Sequence, residues 1–409
     1  MTLITVFVTL LFLYSLVSRR LERTILTAPI IFTGAGMLII IVFPELREMQ
    51  GKRGIFLLLA EVGLVMTLFT DAAYVDLRVL KGNRNLPVRL LSTGMLLTIL
   101  LGALGALVVF RQLSFWEAGI LAAILAPTDA GLGQVIVNST RVPMRIRQAL
   151  NVEAGLNDGL AVPFLMFFIA LAQESTEGPG TVLTRFVMEQ LGYGALIGLG
   201  IGLAGGWLLG LAHHREWAAK PFQQVGLVVL PLLCVIASES LGASMFIAAF
   251  VAGLAVTLGF KEAGKHTIEF TEHWGQLLDY LVFFLFGLFV ARDWAQFSLA
   301  SVLYAVLSLT VVRMLPVAIA LIGTRLSKVT VLFMGWFGPR GLASIVLGLV
   351  YLDQETHLSG EPTIRIAVMA TVLLSILAHG LSAMPGISLY ARNIAGLGTG
   401  APEHQGAES

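Results

Sequence analysis

Apolar runs long enough to cross a bilayer follow one another along nearly the whole chain. A hydrocarbon core about 30 Å thick calls for about 20 apolar residues in a helix. Thirteen segments meet or approach that length: 2–18, 27–43, 54–72, 88–110, 115–138, 148–172, 186–212, 222–239, 243–260, 275–291, 299–323, 328–352 and 363–390. Inside lipid no water pairs with the backbone, so each segment must satisfy its own N–H and C=O groups as a helix. The expected fold class is an all-α integral membrane protein of about 13 transmembrane helices. Composition agrees: 57% of the 409 residues are hydrophobic and 12% are charged, against about 25% charged in soluble domains.

Other classes fall away quickly. The net charge of +1 gives no footprint for nucleic acid, and one cysteine, Cys234, excludes an internal disulfide and a cysteine-cluster metal site. Neither an HExxH nor a P-loop pattern occurs, and no cofactor is expected. The first segment lacks a basic leader and a small-residue cleavage site, so it is expected to be a mature helix. With the N-terminus outside, the inside loops hold 17 Lys and Arg and the outside loops 7. The positive-inside rule favours that orientation and a cytoplasmic C-terminus. The polar, Gly-rich tail at 391–409 is expected to be disordered.

Two basic residues remain inside predicted spans, Arg313 and Arg340. Carboxylates join them. The fifth span is interrupted by "APTDAGLG" and the twelfth by "WFGPRGLAS", both rich in Pro and Gly. Matching breaks in two halves point to a transporter site. The breaks lie seven spans apart, an odd number, so the two copies run in opposite directions: an inverted repeat of spans 4–6 against spans 11–13. Asp158 lies about 15 Å into the sixth span at 1.5 Å per residue, near the midplane. Asp129 and Arg340 have similar depth.

Charges at that depth cost a few kcal/mol or more and are kept for pathways or relays. Asp129, Glu153, Asp158 and Arg340 are read that way. Glu61, Glu239 and Asp279 read as packing or snorkelling groups, and His379 as a packed, hydrogen-bonded histidine. Asp71 is either structural or part of an approach funnel. On the sixth span Ala154 and Asp158 share a face, Glu153 and Asn157 share the neighbouring strip, and Gly155 and Gly159 form a smooth strip for another helix. Oxygen ligands without sulfur or imidazole suit an alkali cation. A carboxylate that either a cation or a proton can neutralise is an exchange site.

The stretches "APTDAGLGQVIV", "RVPMRIRQALNVEAGLNDGLAVPF" and "GWFGPRGLASIVLGL" resemble NhaP-type sodium/proton antiporters of the cation:proton antiporter superfamily, as do "LGASMFIAAFVAGL", "FFLFGL" and "RMLPVAIAL". The resemblance implies an NhaA-like fold in the plasma (inner) membrane, a homodimer, and an inverted-repeat core with two crossed, unwound helices. It divides residues 1–390 into a moving core (spans 4–6 and 11–13) and a dimerisation scaffold (spans 1–3 and 7–10). It implies exchange of Na⁺ for H⁺ at Asp158, with Thr128, Asp129 and Glu153 as further binding groups. Asn157, Arg340 and Arg313 would support them. Asn157 stands where electrogenic relatives carry a second Asp, which implies one-for-one exchange.

One position departs from the pattern. The family usually has a serine where this chain has Ala154, so one oxygen is missing. That leaves K⁺/H⁺ or Li⁺/H⁺ exchange open beside Na⁺/H⁺. Two further classes, an intramembrane aspartyl protease and a non-transporting ion sensor, lack their Gly-x-Gly-Asp pattern and output domain respectively.

Overall fold

A computed structural model describes residues 2–21, 24–44, 53–74, 85–173, 188, 192–260, 265–354, 356–396 and 401–404. All regular structure among them is helical. The helices are α1 (Thr2–Leu21), α2 (Ala28–Val42), α3 (Arg53–Ala73), α4 (Asn85–Val109), α5 (Phe115–Ile124), α6 (Ala130–Val137), α7 (Met144–Ala172) and α8 (Gly194–His214). They continue with α9 (Lys220–Leu241), α10 (Met245–Gly259), α11 (Lys265–Arg292), α12 (Leu299–Ala320), α13 (Lys328–Trp336), α14 (Leu342–Asp353) and α15 (Glu361–Ile394).

Every expected apolar segment holds a helix. Nine helices among the described residues are long and apolar enough to cross a membrane, and four shorter apolar ones lie among them. The expected thirteen crossings are therefore not reached by length alone. Large apolar side chains such as Val108, Trp207, Phe222 and Leu299 stand more than half exposed, as a lipid-facing surface requires.

Glycines set the closest packing. On α8, Gly198, Gly202 and Gly206 repeat every fourth residue, and an added Cβ would come within 2.6 Å of a backbone oxygen of α10. Backbones this close gain dispersion contacts that lipid cannot replace. Gly155 and Gly159 do what their spacing suggests: they receive Asp71 of α3 and Phe250 of α10. The loop "SESLGAS" splits α9 from α10 at Gly242, whose φ of 63° is left-handed. Ser244 then caps α10.

Two expectations about boundaries are corrected. The tenth segment begins at Lys265 rather than 275. Polar residues of that first stretch, such as Glu269 and Glu272, hide it from a hydropathy reading, yet they line a cavity. The tail is also folded in part. Helix α15 runs on to Ile394, and Pro402–His404 form a 3₁₀ turn. Glu403 is buried there, accepting from the Ser327 N–H at 2.8 Å and the Thr330 hydroxyl at 2.9 Å at the start of α13. Arg145 of α7 donates to the Pro402 carbonyl. The expected disorder of 391–409 does not hold for 391–396 and 401–404; the rest of that tail lies outside the described residues.

Candidate ion-binding site

The two breaks repair one another. Pro127 lacks an N–H and α5 ends at Ile124; α6 restarts after Asp129, whose Oδ1 caps it by accepting from Leu132 N–H at 2.8 Å. The second break, between α13 and α14, supplies the rest. Arg340 Nη1 donates to the carbonyls of Ala126 (2.9 Å) and Pro127 (3.1 Å), a cation at the C-terminal end of α5. Asp129 N–H donates to the Pro339 carbonyl at 2.8 Å, and Leu342 N–H donates to Asp129 Oδ2 at 2.6 Å. A Cβ on Gly341 would stand 1.9 Å from Asp129 Oδ2, so only glycine permits that cap.

A third helix closes the second break. Arg340 N–H donates to Ser375 Oγ at 2.6 Å. Ser375 Oγ meets His379 Nδ1 at 3.1 Å, and His379 Nε2 meets the Trp336 carbonyl at 2.9 Å. His379 is the packed, hydrogen-bonded group that its place in the sequence suggests.

Helix α7 carries three of the expected residues to different ends. Glu153 is paired through both oxygens with Arg313 of α12, at 2.5 and 2.9 Å, with both side chains buried. Gly338 lies against the Arg313 guanidinium, where a Cβ would be 2.2 Å from Nε. Asn157 Nδ2 donates to Thr128 Oγ1 at 2.7 Å. Asp158 is different. It is 5% exposed, and its Oδ1 has no hydrogen-bond partner among the described residues. Pro163 leaves the carbonyl of Gly159, next to Asp158, without its helical donor.

Asp158 lines a cavity of about 1070 Å³. Asp71 and Thr67 of α3, Asp129, and Glu272 and Asp279 of α11 line it too, with Arg145 the arginine among its walls. It gathers residues from the α1–α2 connection, the end of α3, the end of α6 and the start of α7. These are the segments that the loop charges assign to the inside.

The expected residues do not all line the cavity. Thr128, Glu153 and Ala154 line a separate void of about 10 Å³ rather than the cavity. Both Glu153 oxygens pair with Arg313 rather than with Arg340. Asp129 and Asp158 share the cavity wall; the Thr128 hydroxyl accepts from Asn157 and each Asp129 oxygen accepts from a backbone N–H. Ala154, expected to share the Asp158 face toward the ion, opens on the small void instead.

Thr67, Glu272 and Asp279 were not singled out for the cavity, whereas Asp71, left open between a structural and a funnel place, lies in its wall. Asp279, read as a packing group, lies in the cavity wall and accepts from Thr67 Oγ1 at 3.3 Å. Tyr74 Oη donates to Glu272 Oε2 at 2.8 Å. A signal was available: Thr67, Thr70, Asp71 and Tyr74, and likewise Glu269, Glu272, Gln276 and Asp279, recur at helical spacing in one stripe.

Comparisons with known proteins agree with this architecture. The profile of the family described as "Sodium/hydrogen exchanger, transmembrane" matches residues 6–386. Na(+)/H(+) antiporter 2 of Zygosaccharomyces rouxii is 27% identical over 279 residues, 64% of this chain and 34% of that protein. K(+)/H(+) antiporter NhaP2 of Shewanella sp. (strain ANA-3) is 27% identical over 273 residues, 65% of this chain and 46% of that one. The chain thus matches less than half the length of either relative. The sodium proton antiporter MjNhaP1 from Methanocaldococcus jannaschii superposes with a TM-score of 0.69 at 20% identity, covering 93% of this chain and all of that one. That likeness shows the shared fold, and the profile match over nearly the whole chain shows that this protein belongs to the sodium/hydrogen exchanger family.

Proposed function

We propose that this protein is a secondary transporter exchanging Na⁺ for H⁺ across the plasma (inner) membrane. One observation carries the reading: Asp158 is a buried carboxylate whose Oδ1 has no partner among the described residues, at the wall of an acidic cavity beside two interlocked helix breaks. An isolated buried charge is too costly to keep. A proton or a cation relieves that cost, and the two compete for one group. One carboxylate neutralised by either species supports one-for-one, electroneutral exchange.

Alternating access supplies the rest of the cycle. Helices α4–α7 and α12–α15 form the moving core, and α1–α3 with α8–α11 form the scaffold and the homodimer interface. The N-terminus is outside and the C-terminus cytoplasmic, so the cavity is open to the cytoplasm. The names of the Zygosaccharomyces and Shewanella relatives are in keeping with monovalent cation/proton exchange. Potassium is the second reading, in keeping with the name of the Shewanella relative.

Purified protein in liposomes tests both. Proton flux is measured against Na⁺, K⁺ and Li⁺ gradients, with and without a membrane potential. Flux that follows a cation gradient and ignores the potential supports the proposal. No flux with any of the three ions would refute it.

A further inference from the structure

The start of α15 is tied down in two directions. Two bonds stay within the proposed core. Glu117 of α5 accepts from the Gly360 N–H at 2.7 Å, and Gln112, just before α5, donates from Nε2 to Thr363 Oγ1 at 3.2 Å. Arg365 reaches the other way. Its Nη2 donates to Gln296 Oε1 at 3.0 Å, and its Nη1 stands 3.5 Å from Asp293 Oδ2. Asp293 follows the last residue of α11, and Gln296 lies in the short connection from α11 to α12. Those two residues also hold one another: Gln296 Nε2 donates to Asp293 Oδ1 at 3.2 Å. Asp293 is only 5% exposed.

This cluster lies at the opposite end of the helices from the cavity. The cavity wall takes Glu269 and Glu272 near the start of α11, Arg145 at the start of α7 and Met384 near the end of α15. At 1.5 Å per residue, Asp293 is about 21 Å beyond Asp279 along α11, and Arg365 about 28 Å before Met384 along α15. In the proposed cycle α11 belongs to the scaffold, and α12 and α15 to the core. Residues 293–298 are therefore where one part becomes the other, and such connections absorb the movement between parts. A core that closes the cavity and opens the opposite side has to draw the start of α15 away from the end of α11. One guanidinium held by two acceptors opposes that separation.

We propose that Arg365, Asp293 and Gln296 form a latch on the face opposite the cavity, which favours the cavity-open state and is released when the core moves. This rests on alternating access between core and scaffold. A contact made in only one of two states biases the equilibrium between them. Each face's apparent affinity for cation scales with the fraction of protein open to that face. Removing the latch therefore weakens apparent binding from the cavity side and strengthens it from the opposite side. Arg292 does not substitute for Arg365. Its Nε stands 3.4 Å from Asp293 Oδ1, but it ends α11 itself, so that pair stays within the scaffold in both states.

The test compares wild type, Arg365→Gln, Arg365→Lys, Asp293→Asn and the double variant Asp293→Asn/Arg365→Gln in liposomes of one protein orientation. Na⁺ and K⁺ are the probes, and the apparent KM is measured with the cation on each face in turn. Thermal melting is followed in parallel. Arg365 keeps 21% of its side chain exposed, and an ion pair of that kind shifts an equilibrium by about two- to fivefold. Arg365→Gln and Asp293→Asn are each expected to raise the KM on the cavity face and lower it on the other by up to that factor. Arg365→Lys recovers part of the shift, and the double variant shifts no further than either single one. KM values that stay unchanged, or that do not move in opposite directions, overturn the inference, and so does a loss confined to melting. A wild type without exchange overturns the underlying reading instead.

Discussion

Glu153 and Asp158 are one and a half turns apart on α7, equally buried, and chemically alike, yet they live in opposite circumstances. Glu153 has both oxygens on Arg313 and Gly338 packed over the guanidinium. Its charge is neutralised from within the protein. Asp158 faces the cavity with an oxygen unmet and other carboxylates for neighbours. Burial alone therefore does not mark an exchange site. What marks it is burial without an internal counter-charge, because only such a group gains by taking a proton or an ion from outside.

The largest test of this contrast is Asp158→Asn. The carboxamide keeps the shape but can neither take up a proton nor neutralise a cation, so cation-coupled proton flux in liposomes should fall to background. Melting should not drop, since the lost charge had no counter-charge bonded to it among the described residues. Substantial flux at normal expression would remove Asp158 from the exchange role.

Arg313→Leu probes the other side of the comparison. It leaves Glu153 buried and unpaired, a loss of about 3–5 kcal/mol in soluble proteins. The double variant Glu153→Leu/Arg313→Leu should regain most of that loss, because apolar replacement of a buried pair is often neutral. Melting of the two variants decides the matter: equal losses would mean that the pair is not what Arg313 contributes.

Glu403→Gln acts further out. It weakens charge-assisted bonds to Ser327 and Thr330, worth about 1 kcal/mol or somewhat more. Proteolysis of the tail should become faster while exchange persists. Burial tends to raise the Glu403 carboxyl, but the donors from Ser327 and Thr330 outweigh it and hold the group below its usual value. The contribution is then complete above the ordinary carboxylate range and is lost only as pH falls below it. Tail protection that disappears near neutral pH would contradict this contact.

The smallest effect is expected from Ala154→Ser. A ligand role for the added hydroxyl would shift the KM for Na⁺ severalfold. Because residue 154 opens on the void beside Thr128 and Glu153, a change below about twofold is expected, less than one net hydrogen bond can give. A selective gain for Na⁺ over K⁺ would return position 154 to the ion.

Much of this was legible in sequence. Pro127, Pro339 and their glycines announced both breaks, because an interrupted hydrogen-bond ladder is a local matter of sterics and missing donors. Asp158 was singled out because its depth follows from counting residues. The roles of Glu153, Thr128 and Asp129 were not legible. All three are buried polar residues near the breaks, and nothing local says which finds a partner. Asp71 was left open for the same reason, and the polar start of α11 was missed because hydropathy averages conceal a stripe.

The sequence by itself determined that lipid is the solvent, that the chain is helical, and where the helices must break. Those outcomes depend on transfer free energy and backbone sterics, which act over a few residues. Only the tertiary structure decided which buried charge is answered and which is not. Glu153 and Arg313 are 160 residues apart, and Asp129 and Leu342 are 213 apart. Ion pairs and hydrogen bonds are satisfied within a few ångströms, so their partners are chosen by how the helices pack, and that packing leaves Asp158 Oδ1 without a partner among the described residues.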